Sequence, residues 1–320
     1  MVLDLTSCQN GSYDCYQCAL SVVLEYYKRK YYMFSLSKLG YCYKKTDNEI
    51  IGNSIDRSQR VSIDEALLTY HGITIKNHFF SKESIDNIIS CNLRDNKPII
   101  VKMDLFWLVW DPFCQKYHFP HYILNVGYDA YTDKYIWIDP YISSELRFVG
   151  IDEIYIGIQK IKTIEFTDKL QKQNLYYALY KDVCCYLDKS QEDNLYNTLI
   201  LSKDIQNVFD LDRERGFYGD DIYAIPIMNN IREIYTSRMS YSLMLSQIDQ
   251  NYSKQILRKY SNKVKDIGEA WKTVWCKLAK IFISGINYEN KIGQLIEDIG
   301  VKEIKWAEEL KKTLECELEL

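Results

Sequence analysis

Polar residues fill the chain up to Asp14, and from Ala19 to Tyr27 they nearly vanish. Ala19, Leu20, Val22, Val23, Leu24, Tyr26 and Tyr27 would put apolar groups on almost every face of a helix, as a helix buried inside a domain requires. Asp14 stands where an N-cap belongs, which places Cys15 in the first turn. Phe34–Cys42 reads as a short helix or turn, followed by a polar link through Asn53. Ser62 with Glu65 forms a capping-box start and Gly72 a stop, so the pattern predicts a helix between them. Ile73–Phe80 alternates like a strand, Ser81–Cys91 reads as a helix, and Pro98–Met103 as a buried strand.

The next stretch is rich in strands. His121–Tyr128 and Lys134–Pro140 flank a polar turn at Asp129 to Asp133, and Glu153–Lys162 supplies one more predicted strand. Helices followed by an antiparallel sheet make an α+β layout in which the opening helix lies against the sheet. From about Glu165 helical periodicity takes over, in segments near 168–186, 190–208, 221–248, 252–285 and 289–318, interrupted by a loop at Leu211–Gly219. This divides the chain into 1–164 and a helical 165–320, with no internal repeats.

Composition narrows the function classes. The chain has 320 residues, 47% of them hydrophobic and 26% charged, and a formal net charge of −4, so global basicity does not recommend a nucleic acid as partner. No secretory signal and no apolar run long enough for a membrane span is visible. Ten cysteines are scattered without framework spacing, which implies mostly reduced thiols and a cytoplasmic protein.

Cys15 is the candidate nucleophile, because unpaired N–H groups and the macrodipole at a helix N-terminus favour a thiolate. An unpaired cysteine on an apolar helix is otherwise a small core residue, so the assignment needs a base and an orienting group. Of the four histidines, His71 sits at a helix end and His78 in an alternating strand; His121 opens a strand whose hairpin partner ends in Asp139. Asp129 lies about 26 Å along the strand from His121 at ordinary strand rise. Asp139 returns toward the strand start, facing about residue 124, and comes within diagonal reach of His121 if a bulge or the Asp-Pro end adjusts the register. A turn-forming role before Pro140 is the competing reading of Asp139. Gln9 supplies an amide donor for a developing oxyanion, alongside the Cys15 backbone N–H.

These residues carry a resemblance. Gln9, Asp14, Cys15, Leu20 and Glu25–Tyr27, then His121–Asp129 and Trp137–Pro140, are similar to the blocks of the bacteriocin leader-processing (double-glycine) cysteine peptidases. Asp104–Trp110, Tyr117, His121 and a helical region around Arg238 and Trp271 resemble the butirosin biosynthesis protein H acyltransferases over a longer span. The likeness implies a papain-like domain, with Cys15 as nucleophile, His121 as base, Asp139 as orienter and Gln9 as oxyanion donor. It further implies transfer of an acyl group from a carrier-protein thioester to a small amine without a bound cofactor, as in closthioamide-type amide formation. Two departures count against a leader peptidase: Tyr16 stands where those enzymes have Gly, and no ATP-cassette or membrane segment follows.

Other readings compete. Cys15 and Cys18 with His118 and His121 make a tetrahedral zinc set in type, although the pairs are about a hundred residues apart. Cys18 is a rival nucleophile one turn deeper, and Cys8 has no assigned role. Lys254, Arg258, Lys259, Lys263, Lys265, Lys272, Lys277 and Lys280 form a basic helix face that either docks an acidic carrier protein or is simply solvated. A catalytically silent module that only binds a partner is the third class.

Overall fold

The computed structural model describes all residues except 1, 6–10, 47–48, 58, 168–172, 220, 253–254 and 286–288. In chain order the first elements are α1 (Cys15–Tyr26), β1 (Cys42–Tyr43), β2 (Ile55–Asp56), α2 (Ile63–His71), β3 (Ile73–His78), α3 (Lys82–Arg94) and β4 (Ile99–Asp104). There follow β5 (Pro120–Asp129), β6 (Lys134–Asp139), β7 (Ser143–Val149), α4 (Ile151–Ile154) and β8 (Ile158–Phe166). The rest is helical: α5 (Leu175–Leu187), α6 (Asn197–Asn207), α7 (Leu211–Arg215), α8 (Pro226–Tyr252), α9 (Arg258–Ser284) and α10 (Glu289–Leu318).

The chain forms two compact units, Met1–Phe34 with Asp64–Gln171, and Ser35–Ile63 with Lys172–Leu320. The first holds a six-stranded antiparallel sheet in the order β3-β8-β4-β5-β6-β7. Its inner strands β4, β5 and β6 read as nearly continuous buried runs, the signature of a sheet covered by other elements. Both α1 and α3 pack on β5. In α1 the six residues Ala19–Leu24 are buried, and burying a side chain the size of leucine or valine contributes about 1.5–3 kcal/mol.

One strand expectation is corrected, and one strand goes unpredicted. Glu153 begins no strand: it lies in α4, where its carboxylate accepts from the Gly150 N–H at 2.8 Å, closing a helical turn, and the strand starts only at Ile158. The sheet edge β7 is a strand that the sequence reading leaves out; its apolar Leu146 and Phe148 are both exposed.

The β5–β6 hairpin carries the irregularity on which the site depends. Gly127 pairs with Ile136 but Asn125 pairs with Trp137, so Val126 is an extra residue in β5. Its carbonyl accepts from Leu3 N–H at 2.8 Å, and the Asn125 side-chain amide donates across the bulge to Gly127 O (3.4 Å) and Ile136 O (3.3 Å). With these bonds made, the backbone carbonyls of Val126, Gly127 and Ile136 all find donors at the extra residue.

The helical unit is organised on a buried carboxylate. Glu303 of α10 accepts from Arg238 Nε of α8 (2.8 Å), Trp271 Nε1 of α9 (2.9 Å) and Thr198 Oγ1 of α6 (3.2 Å). Residues 35–63 belong to this unit through side-chain bonds that no periodicity announces. Tyr41 donates to Thr198, Tyr43 to Asp204 and Ser37 to Asp182, while Glu214 accepts from the N–H groups of Ile51 and Gly52. The sequence places one boundary near 165; the chain also passes into the second unit at Ser35 and out at Ile63. Among the described residues no helix is long and apolar enough to cross a membrane.

Candidate active site

Asp14 has the extended backbone of an N-cap, and its carboxylate accepts from Gln17 N–H at 2.8 Å while the Gln17 side chain accepts from Asp14 N–H at 3.4 Å. This capping box fixes where the helix starts. Cys15 is therefore the first helical residue, half-buried at the N-terminal end of α1. Cys18, one turn further, is buried, with its thiol toward the Tyr13 carbonyl at 3.9 Å.

His121 sits at the start of β5 opposite Met103 and is 4% exposed. Its Nε2 donates to Asp139 Oδ2 at 2.8 Å. The bulge makes that contact possible: beyond Leu124↔Ile138 the register puts Asp139 opposite position 123, two residues from His121 and on the same side of the strand. Asp139 is fully buried, and two further donors hold its carboxylate, Trp110 Nε1 at 3.3 Å on Oδ2 and Ile142 N–H at 3.3 Å on Oδ1. A carboxylate so bonded is held in one orientation.

Burial pulls the His121 imidazolium down, but hydrogen bonds to Asp139 and Cys15, with the negative charge of both, outweigh it and raise the group to about 10. Because Nε2 serves Asp139, Nδ1 is the ring nitrogen left for the thiol. Asp111, also buried near this pair, is raised by burial, against which the Phe113 N–H and the His121 charge act. The Tyr141 ring stands edge-on to the imidazole, with centroids 6.0 Å apart. A thiol, a charged imidazole and a fixed carboxylate in this sequence can exchange a proton within the site and present a sulfur anion to an electrophile.

The remaining candidates fall elsewhere. Gln9 and Cys8 lie outside the described residues. Asp129 closes the hairpin turn, accepting from Tyr131 N–H and the Thr132 hydroxyl. His71 Nε2 accepts from Met33 N–H at 3.1 Å, and burial lowers its pKa to about 4, so it is a neutral structural histidine. His78 shares a hydrogen bond with Thr163. His118 is exposed, stacked on Phe106 and bonded to Asp104 at 2.7 Å. Among the described residues no cluster suited to holding a metal ion is found, so Cys15, Cys18, His118 and His121 do not assemble into the zinc set. Trp110 and the Ile142 N–H are the Asp139 partners that sequence reasoning missed. Trp110 closes the Asp104–Trp110 block on which the resemblance rests, and that was its only signal.

In comparisons with known proteins, residues 14–140 match the family model "Butirosin biosynthesis protein H, N-terminal". The match runs from the Asp14 cap to the residue after Asp139, so it spans Cys15, His121 and Asp139 together. It supports the likeness to butirosin biosynthesis protein H that Asp104–Trp110 and His121 suggest. A search of curated proteins returned no match to the chain.

Proposed function

We propose that this protein is a thiol-dependent acyltransferase with a papain-like catalytic unit, forming an amide by way of an acyl group on Cys15. The observation that carries the reading is the buried His121–Asp139 pair, whose imidazole also hydrogen-bonds to Cys15. The match to butirosin biosynthesis protein H supports a biosynthetic acyl transfer over peptide cleavage.

The Cys15 thiolate attacks the carbonyl carbon of a thioester, and the oxyanion that forms is met by the Cys15 backbone N–H and the Gln9 amide. Donors of this kind are each worth about 3–4 kcal/mol. Collapse breaks the bond to the donor's sulfur, which leaves with the proton from His121 Nδ1. An amine then attacks acyl-Cys15 and gives its proton to the now neutral His121; the sulfur departs as the thiolate and the ion pair is restored. Asp139 holds the imidazole throughout. No bound cofactor takes part. The acyl donor is a phosphopantetheinyl carrier protein, for which the basic face of α9 is the proposed dock. In the structure Lys263 of that face pairs with Glu309 and Lys259 lies over the Tyr260 ring, which leaves the work of steering to the other basic residues; Lys254 lies outside the described residues.

Intact-mass spectrometry with an acyl-carrier thioester and, separately, with leader-type peptides tests the assignment. A mass gain abolished by Cys15→Ala and discharged by added amine is the expected result. Peptide cleavage without acyl transfer would make the protein a peptidase instead.

A further inference from the structure

The residue after the nucleophile, which sequence comparison marks only as too bulky, is anchored to three other elements. The Tyr16 hydroxyl donates to Asp64 Oδ1 in the first turn of α2 and accepts from Lys162 Nζ of β8 at 2.7 Å. Lys162 also donates to Asp64 Oδ2 at 3.0 Å, closing a ring of three hydrogen bonds. The Tyr16 ring stacks on Tyr122 of β5, with centroids 4.3 Å apart and planes at 27°.

Cys15 and Tyr16 are consecutive in α1, as are His121 and Tyr122 in β5. The ring stack and the thiol–imidazole contact are thus two rungs between the same two stretches of backbone. We infer that Tyr16, Tyr122, Lys162 and Asp64 form a positioning clamp that sets the distance and orientation of Cys15 relative to His121. This rests on the reading of Cys15 as the reacting thiol.

The choice of residues argues for position over stability. Lys162 is buried, and a buried ion pair seldom stabilises a fold more than well-packed apolar groups of the same volume. What it supplies is direction: four donor and acceptor atoms that fit in one arrangement. A helix held only by its apolar face can turn slightly about its axis, and a small turn at the first residue moves the sulfur. Burial lowers Lys162, against which the Asp64 charge acts. Burial, and then the Asp64 charge, push the Tyr16 hydroxyl well above the phenol range. The Tyr122 hydroxyl is raised by burial first and then by Cys15, Asp64 and Asp14, so the clamp and the thiol share one electrostatic neighbourhood that also contains Asp111 and Asp139.

The test is the pH dependence of Cys15 alkylation by iodoacetamide in the full-length protein, resolved from the other cysteines by peptide mapping, with melting temperatures in parallel. The double variant Asp64→Asn/Lys162→Met removes both charges together, so it cuts the anchor while keeping the local net charge. It and Tyr122→Leu are expected to slow alkylation at pH 6 by about tenfold, as one unit of thiol pKa implies, and to converge with the parent protein at high pH. Lys162→Arg is expected to restore the parent profile. Profiles of Tyr122→Leu and the double variant that superimpose on the parent's would overturn the clamp, and if one variant does not fold the other decides. His121→Ala separates the two levels: a profile unchanged in that variant removes the thiol–imidazole reading itself. Loss of the profile there, with unchanged clamp variants, removes only the clamp.

Discussion

The helical unit and the sheet unit each bury an ion pair at 2.8 Å, and the two pairs are built to different ends. In the helical unit Arg238 and Glu303 are both buried, and three side chains from three helices occupy the Glu303 carboxylate. In the sheet unit three donors likewise occupy Asp139, but its partner His121 keeps one ring nitrogen for a half-buried thiol. The first arrangement is closed on the carboxylate side, with both Glu303 oxygens taken by neighbouring side chains. The second leaves one ring nitrogen open toward the thiol, and under the proposed function that opening is what makes it a chemical rather than a structural charge pair.

The comparison breaks most sharply at the two cations. His121→Ala is expected to slow acylation of Cys15 by about 10²–10⁴-fold, the range for a lost general acid–base, in quenched-flow mass spectrometry; a loss under threefold would place His121 outside the chemistry. Arg238→Met leaves Glu303 buried without its cation and is expected to cost about 3–5 kcal/mol of stability, measured by urea unfolding. A cost below about 1 kcal/mol would show the helical pair to be dispensable, contrary to the role assigned to it here.

Deleting Val126 tests the register. Without the extra residue the pairs Gly127↔Ile136 and Asn125↔Trp137 become adjacent and Asp139 still faces position 123, on the His121 side of the strand. The imidazole is then expected to keep the parent's value of about 10, by NMR of labelled histidine; a titration well below it would show that Val126 itself, beyond the register, sets the pair.

The smallest effect contrasts two histidines of the same unit. His121, raised above the unfolded value of about 6.5, contributes stability that is fully present below that value and lost as pH rises through about 10. His71, lowered to about 4, contributes stability present above about 6.5 and lost as pH falls through 4. Unfolding free energies at stepped pH should show the alkaline limb flattened in Asp139→Asn and the acid limb flattened in His71→Gln. Identical limbs in variant and parent would contradict the assignment.

Much of the site was legible in the sequence because it depends on local rules. A cap residue before Cys15 and the length of a hairpin lead to Asp139 over Asp129, and Asp129 is indeed consumed by the turn. The bulge is expected only as a condition, since Asn125–Gly127 carries no pattern that fixes which residue is extra. Trp110, Ile142, Lys162 and Asp64 reach the site from loops and distant elements, and contacts of that kind have no period. The same physics hides residues 35–63, whose membership of the helical unit rests on single hydrogen bonds to side chains more than a hundred positions away. Tyr16 reads from sequence as a steric departure; in the structure its bulk and hydroxyl are both in use.

The most direct measurement is the site of the acyl group. After brief exposure to an acyl thioester and acid quench, peptide mapping is expected to find the adduct on Cys15, at one per chain, and to find none in His121→Ala at the same time point. An adduct on Cys18 or another cysteine, or equal labelling of Cys15 with and without His121, would contradict the assignment of this thiol and imidazole as the reacting pair.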